Sequence, residues 1–348
     1  MALKFCDSFD HYSSPGLKWT QAQGDTLVMS TTGGRNGTNA LHIGANASGN
    51  GYVRKVFSAS QATLIAGVAW TIGDTSSGPI LAFDDMSAGG EQLSLQFNPS
   101  TNKLSVRRNG TTLATGPTAL FAGIPYYIEF KATIDSAAGS YTVKINEVQE
   151  LTASGVNTRG IGTNNSADSV RLGGGVGFSI FGGGSFFNAG YFDDFYCCDG
   201  SGGVNNDFLG DVRVQCLFPN GPGATTGWTP LSGANWQNVD EVPPDGDTTY
   251  VSAGTPGTID TYAMTDLAAT TGTVKGVQTV IDARKDDSGT RTIAPVFHIG
   301  ASDYVGTNQN IMTAYSMFLQ PYDTSPATSA AWTVSEVNGL NLGQKLVA

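Results

Sequence analysis

Short stretches in which apolar and polar residues alternate, each ended by a turn, recur along the whole 348-residue chain. The clearest pair is Tyr127–Ile134 and Tyr141–Ile145, joined by a turn at Asp135–Gly139. Alternate side chains of a strand point to opposite faces, so we expect Glu129 and Lys131 to face water while their neighbours face a core. Strands at a spacing of about 8–12 residues are typical of β-sandwiches and jelly rolls.

The composition supports the same fold class. Glycine is abundant, at 46 residues, and only 14% of the residues are charged, against roughly 25% in an average globular protein. Glycine and asparagine accept the positive φ angles of tight turns, whereas long helices need runs of Ala, Leu, Glu and Lys. The sequence therefore predicts an all-β chain of two β-sandwich or jelly-roll domains in tandem, as the length also suggests.

The predicted domain boundary lies in a stretch rich in Asp, Gly, Ser and Asn. We interpret residues 1–200 as the first domain, 201–206 as a linker and 207–348 as a second sandwich. Alternation resumes after Phe208 and predicts a strand that continues to Cys216. The two halves share an order of aromatic, Gly-Val and Ser-Gly features, so the second could be a divergent copy of one jelly-roll plan. Near its end, Trp332–Val334 is predicted to be a strand.

The charge balance argues against several partners. A formal net charge of −11 repels phosphate backbones, so we expect no nucleic-acid binding. Basic residues that are adjacent in the sequence are interpreted as ordinary exposed residues of strands or turns. They are Arg54 with Lys55, Arg107 with Arg108, and Arg284 with Lys285. Neither a signal peptide nor a run of about 20 apolar residues is present, so we expect cytoplasmic synthesis and no membrane insertion.

The four cysteines do not form a metal-binding or redox motif. Cys6, Cys197, Cys198 and Cys216 have no CxxC spacing, and we interpret them as buried thiols. Because Cys197 and Cys198 are adjacent, they should point to opposite faces of a strand. A disulfide from Cys6 to one of them would require the first and last strands of the domain to be neighbours.

No residue cluster indicates a reaction. The three histidines are widely scattered, and the HExxH, P-loop and GxSxG motifs are absent. Cleavage of a polysaccharide on a sandwich fold needs two carboxylates that face each other. The acidic pairs considered are Glu147 with Glu150, Asp193 with Asp194, and Asp84 with Asp85. The first two pairs should point to opposite faces and the third is interpreted as a turn, so the sequence predicts that the chain is not an enzyme.

Calcium is the only cofactor that the sequence suggests. Asp7, Asp10, Asp193, Asp194 and Asp199 would converge if the first and last strands of the domain pair, and carboxylates are calcium ligands. The alternative interpretation is that Asp193 or Asp194 accepts hydrogen bonds from backbone amides at a strand end. Calcium binding therefore remains a possible interpretation, and we assign no individual residue as a metal ligand.

Aromatic residues in loops are candidates for sugar binding, because a sugar ring offers a flat apolar face. The candidate ligand-binding residues are Trp228 and Trp236, together with the loop Gly182–Phe187. The alternative is that these side chains belong to the core or to a subunit contact.

Several segments resemble one known family. The opening FCDSFDHY, GGRNGTNALHI, the Tyr126–Val148 hairpin and the closing YFDDFY resemble a laminin G-like, or concanavalin A-like, jelly roll over Met1–Gly200. The later FLGDVRV, VDEVPPDGDTTYV and WTVSEVNGLNLG are similar to the C-terminal region of virion proteins of tailed bacteriophages. The family motif supplies no catalytic residues to carry over.

The resemblance implies a non-enzymatic structural component of a tailed-phage virion, assembled in the host cytoplasm. It would lie on the particle exterior, in the tail tip or fibre region or as a decoration of the capsid head. Its partners would be other virion proteins and copies of itself in a homo-oligomer, and it could contribute to attachment to the host surface. The alternatives are a carbohydrate-binding adhesin that recognises host glycan and a glycan-degrading enzyme.

Overall fold

The computed structural model describes residues 2–24, 27–44, 51–73, 78–174 and 190–348, and it consists mainly of antiparallel strands. The chain divides into two compact units, Met1–Val214 and Gln215–Ala348. The predicted all-β class is confirmed. Within the described residues, no helix has both the length and the apolar character that a membrane span requires.

The first unit is built from strands joined by short turns and two short 3-10 helices, Pro15–Leu17 and Arg35–Gly37. Its described strands are β1 (Leu3–Asp7), β2 (Gln21–Gln23), β3 (Leu27–Ser30), β4 (Ala40–Ile43), β5 (Tyr52–Gln61), β6 (Thr63–Ile72), β7 (Gly78–Asp85), β8 (Gly90–Asn98), β9 (Lys103–Arg108), β10 (Thr111–Thr115), β11 (Pro125–Thr133), β12 (Gly139–Ile145), β13 (Val148–Val156), β14 (Ala167–Gly173) and β15 (Gly190–Asp199).

These strands form two antiparallel sheets that pack face to face. The first sheet has the order β13-β12-β11-β6-β15-β4-β3, with β1 also paired to β15, and the second has the order β10-β9-β8-β7-β14-β5-β2. Between them, the rings of Phe83 and Phe130 stack with centroids 5.1 Å apart, and Trp70 meets Phe97 edge to face at 5.4 Å. Each contact joins one sheet to the other, so the first unit is a β-sandwich.

A segment after the last strand covers the outer face of the first sheet. We call residues 207–214 the strap. Leu209 is buried there, and Phe208 and Val212 pack on the same apolar cluster. The cluster residues contributed by the sheet and its edge are Leu3, Ile65, Ala69, Tyr127, Tyr196 and Cys198. The first unit therefore has a second, smaller core on the outside of its first sheet.

The domain boundary lies later in the chain than predicted, because the strap belongs to the first unit. The amide of Gly210 donates to Glu129 and that of Val214 donates to Asp194, so these residues belong to the first unit. The structure divides the chain after Val214 rather than after the predicted linker 201–206. The alternation up to Cys216 is real, but it forms no strand, because the strap has no ladder partner among the described residues.

The second unit has one larger sheet and two ribbons. Its strands are β16 (Pro219–Thr226), β17 (Thr229–Pro230), β18 (Val251–Ser252), β19 (Ile259–Met264), β20 (Val277–Ala283), β21 (Thr292–Ile299), β22 (Ser302–Val305), β23 (Gln309–Asn310), β24 (Ser316–Tyr322) and β25 (Asn341–Leu346). The sheet has the order β16-β19-β25-β21-β22 with β23 on β21, while β17–β18 and β20–β24 form separate pairs. This arrangement differs from the two large sheets of the first unit, so it does not support a copied plan.

One α-helix, α1 (Val334–Gly339), closes the core of the second unit. Val337 from this helix packs with Phe297, Trp332 and Leu340. The hydroxyl of Thr333 accepts a 3.1 Å hydrogen bond from the amide of Glu336 and caps the helix. The predicted strand at Trp332–Val334 is therefore wrong, because this stretch leads into the helix.

Candidate functional site

The outer face of the second sheet of the first unit is lined by polar side chains. Phe83 points into the sandwich, so its neighbour Asp84 points away from it. Strand register places Ser169 opposite Asp84 and Arg171 opposite Arg54. The polar residues on this face, which we call the polar face, are Gln21, Tyr52, Arg54, Asp84, Glu91, Ser94, Gln96, Lys103, Ser105, Arg107, Ser169 and Arg171.

Four charged side chains form an ion-pair network at the centre of the polar face. Asp84 accepts hydrogen bonds from Nε of Arg54 at 3.0 Å and from Nε of Arg171 at 2.9 Å. Arg171 also donates to Glu91 at 2.9 Å. Asp84 is only 1% exposed and Arg171 only 2%. Asp84 lies at the end of β7, as the sequence indicates, but it is a buried strand residue rather than a turn residue, and the interpretation of Arg54 as exposed is wrong.

The pKa values of the two acids move in opposite directions. Burial would raise the pKa of Asp84, but the charges of Arg171 and Arg54 outweigh burial and hold it below the usual value. Burial raises the pKa of Glu91, and its nearness to Asp84 adds to this, against the opposing charge of Arg171. Asp84 therefore keeps its charge to a lower pH than Glu91 does.

The two arginines differ in how many N–H donors remain. Arg171 donates to both oxygens of Asp84, to Glu91 and to the carbonyls of Gly173 and Gly174, which uses all five of its N–H groups. Arg54 donates from Nε to Asp84 and from one terminal nitrogen, at 2.6 Å, to Oε1 of Gln21, and its other terminal nitrogen forms an ion pair with Asp84 at 2.9 Å. Each terminal nitrogen of Arg54 therefore keeps at least one N–H group that no described residue accepts. Arg171 thus holds the network together, while Arg54 can also bind a ligand.

Exposure across the polar face falls from its edges to its centre. Gln21, Glu91 and Arg107 are partly exposed, whereas Ser94 and Asp84 between them are buried. The sequence contains one signal of this site, namely charged residues inside strands that also carry apolar residues. Such residues are rarely buried unless they are paired, so strands such as that around Arg171 indicate a paired partner elsewhere.

The two tryptophans proposed for sugar stacking lie in the second unit and are both partly exposed. Nε1 of Trp228 donates to the carbonyl of Thr258 at 3.3 Å, and Trp236 lies in the 3-10 helix Asn235–Asn238. Asn235 connects them to the sheet, because its amide donates to the carbonyl of Trp228 and to buried Asp260, each at 2.8 Å. The loop Gly182–Phe187 lies outside the described residues.

Three of the five aspartates considered for calcium form ion pairs instead. Asp7 binds Nζ of Lys18 at 2.9 Å, Asp199 binds Nζ of Lys4 at 2.5 Å, and Asp194 binds Arg35 at 2.7 Å. The first and last strands do pair, as the calcium hypothesis required. Across the described ranges, no group of three or more His, Cys, Asp or Glu side chains could hold a metal ion.

The structure also gives the contacts of the acid pair Glu147 and Glu150 and the state of the four cysteines. Glu147 accepts from the amide of Asp211 in the strap, and Glu150 accepts from the amide of Thr118. The four cysteines, all within the described residues, form no disulfide, although the strand of Cys6 pairs with the one that carries Cys197 and Cys198. Burial raises the pKa of Cys6 to about 11, so the thiol stays protonated near neutral pH.

Comparison with known proteins gives matches only among solved structures. No family model and no curated protein matches the chain. An endo-β-1,4-glucuronan lyase from the fungus Trichoderma reesei matches 56% of this chain and 95% of its own, with 14% identity and a TM-score of 0.43. An alginate lyase from Aplysia kurodai matches 50% and 87%, with 15% identity and a TM-score of 0.37. A sialidase from Trypanosoma rangeli matches 50% and 27%, with 9% identity and a TM-score of 0.34.

These matches are contrary to one expectation from the sequence. The prediction that the chain is not an enzyme is contradicted, because the matching structures are polysaccharide lyases and sialidases. At these identities and TM-scores the likeness concerns the fold, and no catalytic residue is transferred from those proteins to this chain.

Proposed function

We propose that the first unit binds a polysaccharide along the polar face of its second sheet. The observation that carries the proposal is the ion-pair network of buried Arg54, Asp84 and Arg171 with partly exposed Glu91 in the middle of an outer sheet face. Sugar hydroxyl groups both donate and accept hydrogen bonds. Amide, guanidinium and carboxylate groups held in one orientation can therefore bind a row of them.

Stability alone is a poor explanation for this network. Removing charges from water costs free energy that a buried ion pair often fails to recover, and apolar residues of the same volume are commonly as stable. A face of this kind that served only packing would be expected to carry branched apolar residues. Buried and mutually oriented charges are instead typical of sites that bind or transform a ligand.

The proposal is tested by binding to a panel of neutral and acidic polysaccharides, measured by affinity electrophoresis and confirmed by calorimetry. We expect wild type to bind at least one member and Gln21→Ala to weaken that binding. Thr142→Ala is the matched control, because Thr142 lies on the first sheet and bonds Thr152 there. Chromatography of the saccharide before and after incubation separates binding from cleavage. Equal binding by wild type and Gln21→Ala would contradict the proposal.

We also propose a setting for this binding, the exterior of a tailed-bacteriophage particle, where the protein would contact other virion proteins, copies of itself and host surface glycan. Support for this setting comes from the segments that resemble phage virion proteins. Quantitative mass spectrometry of purified particles tests it. A fixed number of copies per particle is expected, and absence from purified particles would refute the setting without affecting the binding proposal.

A further inference from the structure

The geometry points to Arg54 as the residue that binds a sugar carboxylate on the polar face. This inference rests on the proposed function and deepens it, because it names the class of saccharide. The ligand would be an oligosaccharide with carboxylate-bearing sugars, either uronates or sialates, which share this chemistry.

The first step of the argument is the donor count at Arg54. Only 7% of its side-chain surface is exposed. Asp84 and Gln21 accept hydrogen bonds from Nε and one terminal nitrogen, and the other terminal nitrogen is ion-paired with Asp84, which leaves at least one N–H on each terminal nitrogen without a described acceptor. A buried N–H without an acceptor is costly, by about 1–3 kcal/mol. An acceptor from solvent or ligand is therefore expected at this position.

The second step is the rigidity of the guanidinium group. Asp84 holds Nε and one terminal nitrogen through the same oxygen, at 3.0 and 2.9 Å. The carbon Cζ of Arg54 lies 4.9 Å from the centroid of the Tyr52 ring, and Gln21 holds the other terminal nitrogen. Little conformational entropy remains to be lost on binding. Two N–H groups on adjacent nitrogens match the two oxygens of a carboxylate.

The third step is the local charge. Arg54 and Arg171 are balanced by Asp84 and Glu91 within the network. Lys103 and Arg107 lie on the same face in β9, so the polar face carries an excess of positive charge although the whole chain has a net charge of −11. An anionic sugar would be attracted to this face and repelled by the protein as a whole.

Calorimetry with three probes tests the inference. The probes are a hexuronate oligosaccharide, the same oligosaccharide with its carboxyl groups reduced to alcohols, and a sialyl-oligosaccharide. We expect wild type to bind one of the carboxylates about tenfold more tightly than the reduced, neutral probe. The carboxylate probe that wild type binds more tightly identifies whether the ligand sugar is a uronate or a sialate. Arg54→Gln should remove the preference, and Arg108→Gln should retain it, because Arg108 donates to the carbonyl of Asn157 and is not part of the polar face.

A second variant separates loss of binding from loss of folding. Arg54→Lys keeps a positive charge beside Asp84 but lacks the paired donors, so we expect a reduced preference in a protein that melts cooperatively. Equal affinity of wild type for the hexuronate, sialyl and reduced probes, or a preference that persists in both Arg54 variants, would overturn the inference and leave polysaccharide binding standing. Failure of wild type to bind any saccharide would instead overturn the proposed function and this inference together.

Discussion

The hydroxyl of Tyr196 donates a 2.6 Å hydrogen bond to Oε1 of Glu129, and both side chains are buried on the outer face of the first sheet. The same hydroxyl accepts a 3.1 Å bond from the amide of Leu209, and Glu129 accepts one from the amide of Gly210 at 2.9 Å. This pair therefore satisfies two backbone amides of the strap. Residues far apart in the chain share one small polar centre within an apolar cluster.

Replacing the tyrosine should loosen the strap. We predict that Tyr196→Phe lowers the free energy of unfolding by about 2–4 kcal/mol, because the amide of Leu209 and Oε1 of Glu129 each lose a partner. Urea denaturation followed by fluorescence measures the change. Tyr141→Phe is the matched control and should change stability by less than about 0.5 kcal/mol, since no hydrogen bond of the Tyr141 hydroxyl is found among the described residues. Similar losses in the two variants would contradict the role given to Tyr196.

Removing the central arginine should destabilise the polar face. We predict that Arg171→Met lowers the free energy of unfolding by about 3–5 kcal/mol, because Asp84 keeps only Arg54 and Glu91 loses its cation. The measurement is chemical denaturation at neutral pH. Arg108→Met, on the same sheet, is the control and should be nearly neutral. A fully stable Arg171→Met protein would show that the network does not depend on this residue.

His11 should make the fold sensitive to acid. Burial, reinforced by the charge of Lys18, lowers the pKa of His11 to about 4 from its ordinary value of 6.5. Between these pH values the unfolded chain binds a proton that the folded protein does not, so stability falls as the pH drops from 6.5 towards 4, by about 3 kcal/mol at most. His11→Phe should remove this dependence. Denaturation curves between pH 4 and 6.5 measure the free energy of unfolding of both proteins. If it changes with pH equally in wild type and His11→Phe, the prediction is contradicted.

Asp193 should make stability change with pH in the direction opposite to that of His11, over part of the same pH range. Burial, together with the neighbouring charge of Asp194, raises the pKa of Asp193 to about 7 from 3.8. The folded protein then keeps a proton that the unfolded chain has lost, so this group's contribution falls as the pH rises from about 4 to 7. We predict that Asp193→Asn becomes relatively more stable than wild type over that rise. Parallel stability profiles of the two proteins would refute this.

The second unit offers a separate test of sugar binding. If Trp228 and Trp236 stack on sugar rings, each change to alanine should weaken polysaccharide binding by about threefold to tenfold. Phe121→Ala in the first unit is the control, because Phe121 is an exposed aromatic residue outside the polar face. Affinity electrophoresis on the polysaccharide bound by wild type provides the comparison. Unchanged binding in both tryptophan variants would favour packing as their role.

Part of the fold could be predicted because strand alternation is a local property. The hairpin around Phe130 was predicted with its apolar face, and that face packs on Phe83. Glu129 was expected in water and is instead covered, because the strap that covers it comes about eighty residues later in the chain. Nothing in the sequence near Glu129 indicates this partner.

The sequence contains a signal from which helix α1 could have been predicted. Thr333 and Glu336 have the spacing of a capping box, a signal for the start of a helix. The β-rich surroundings and the apolar Trp332 favoured a strand instead. Here a local signal was present and was outweighed by the pattern of the rest of the chain.

By itself the sequence determined the all-β class, the position of many turns and which residues of a strand share a face, because these depend on residues close together in the chain. Only the tertiary structure decided that Arg54, Asp84 and Arg171, from three different strands, form one network. It also decided that the strap belongs to the first unit. Both depend on the order in which distant strands pair, and alternation within a strand carries no information about its neighbour.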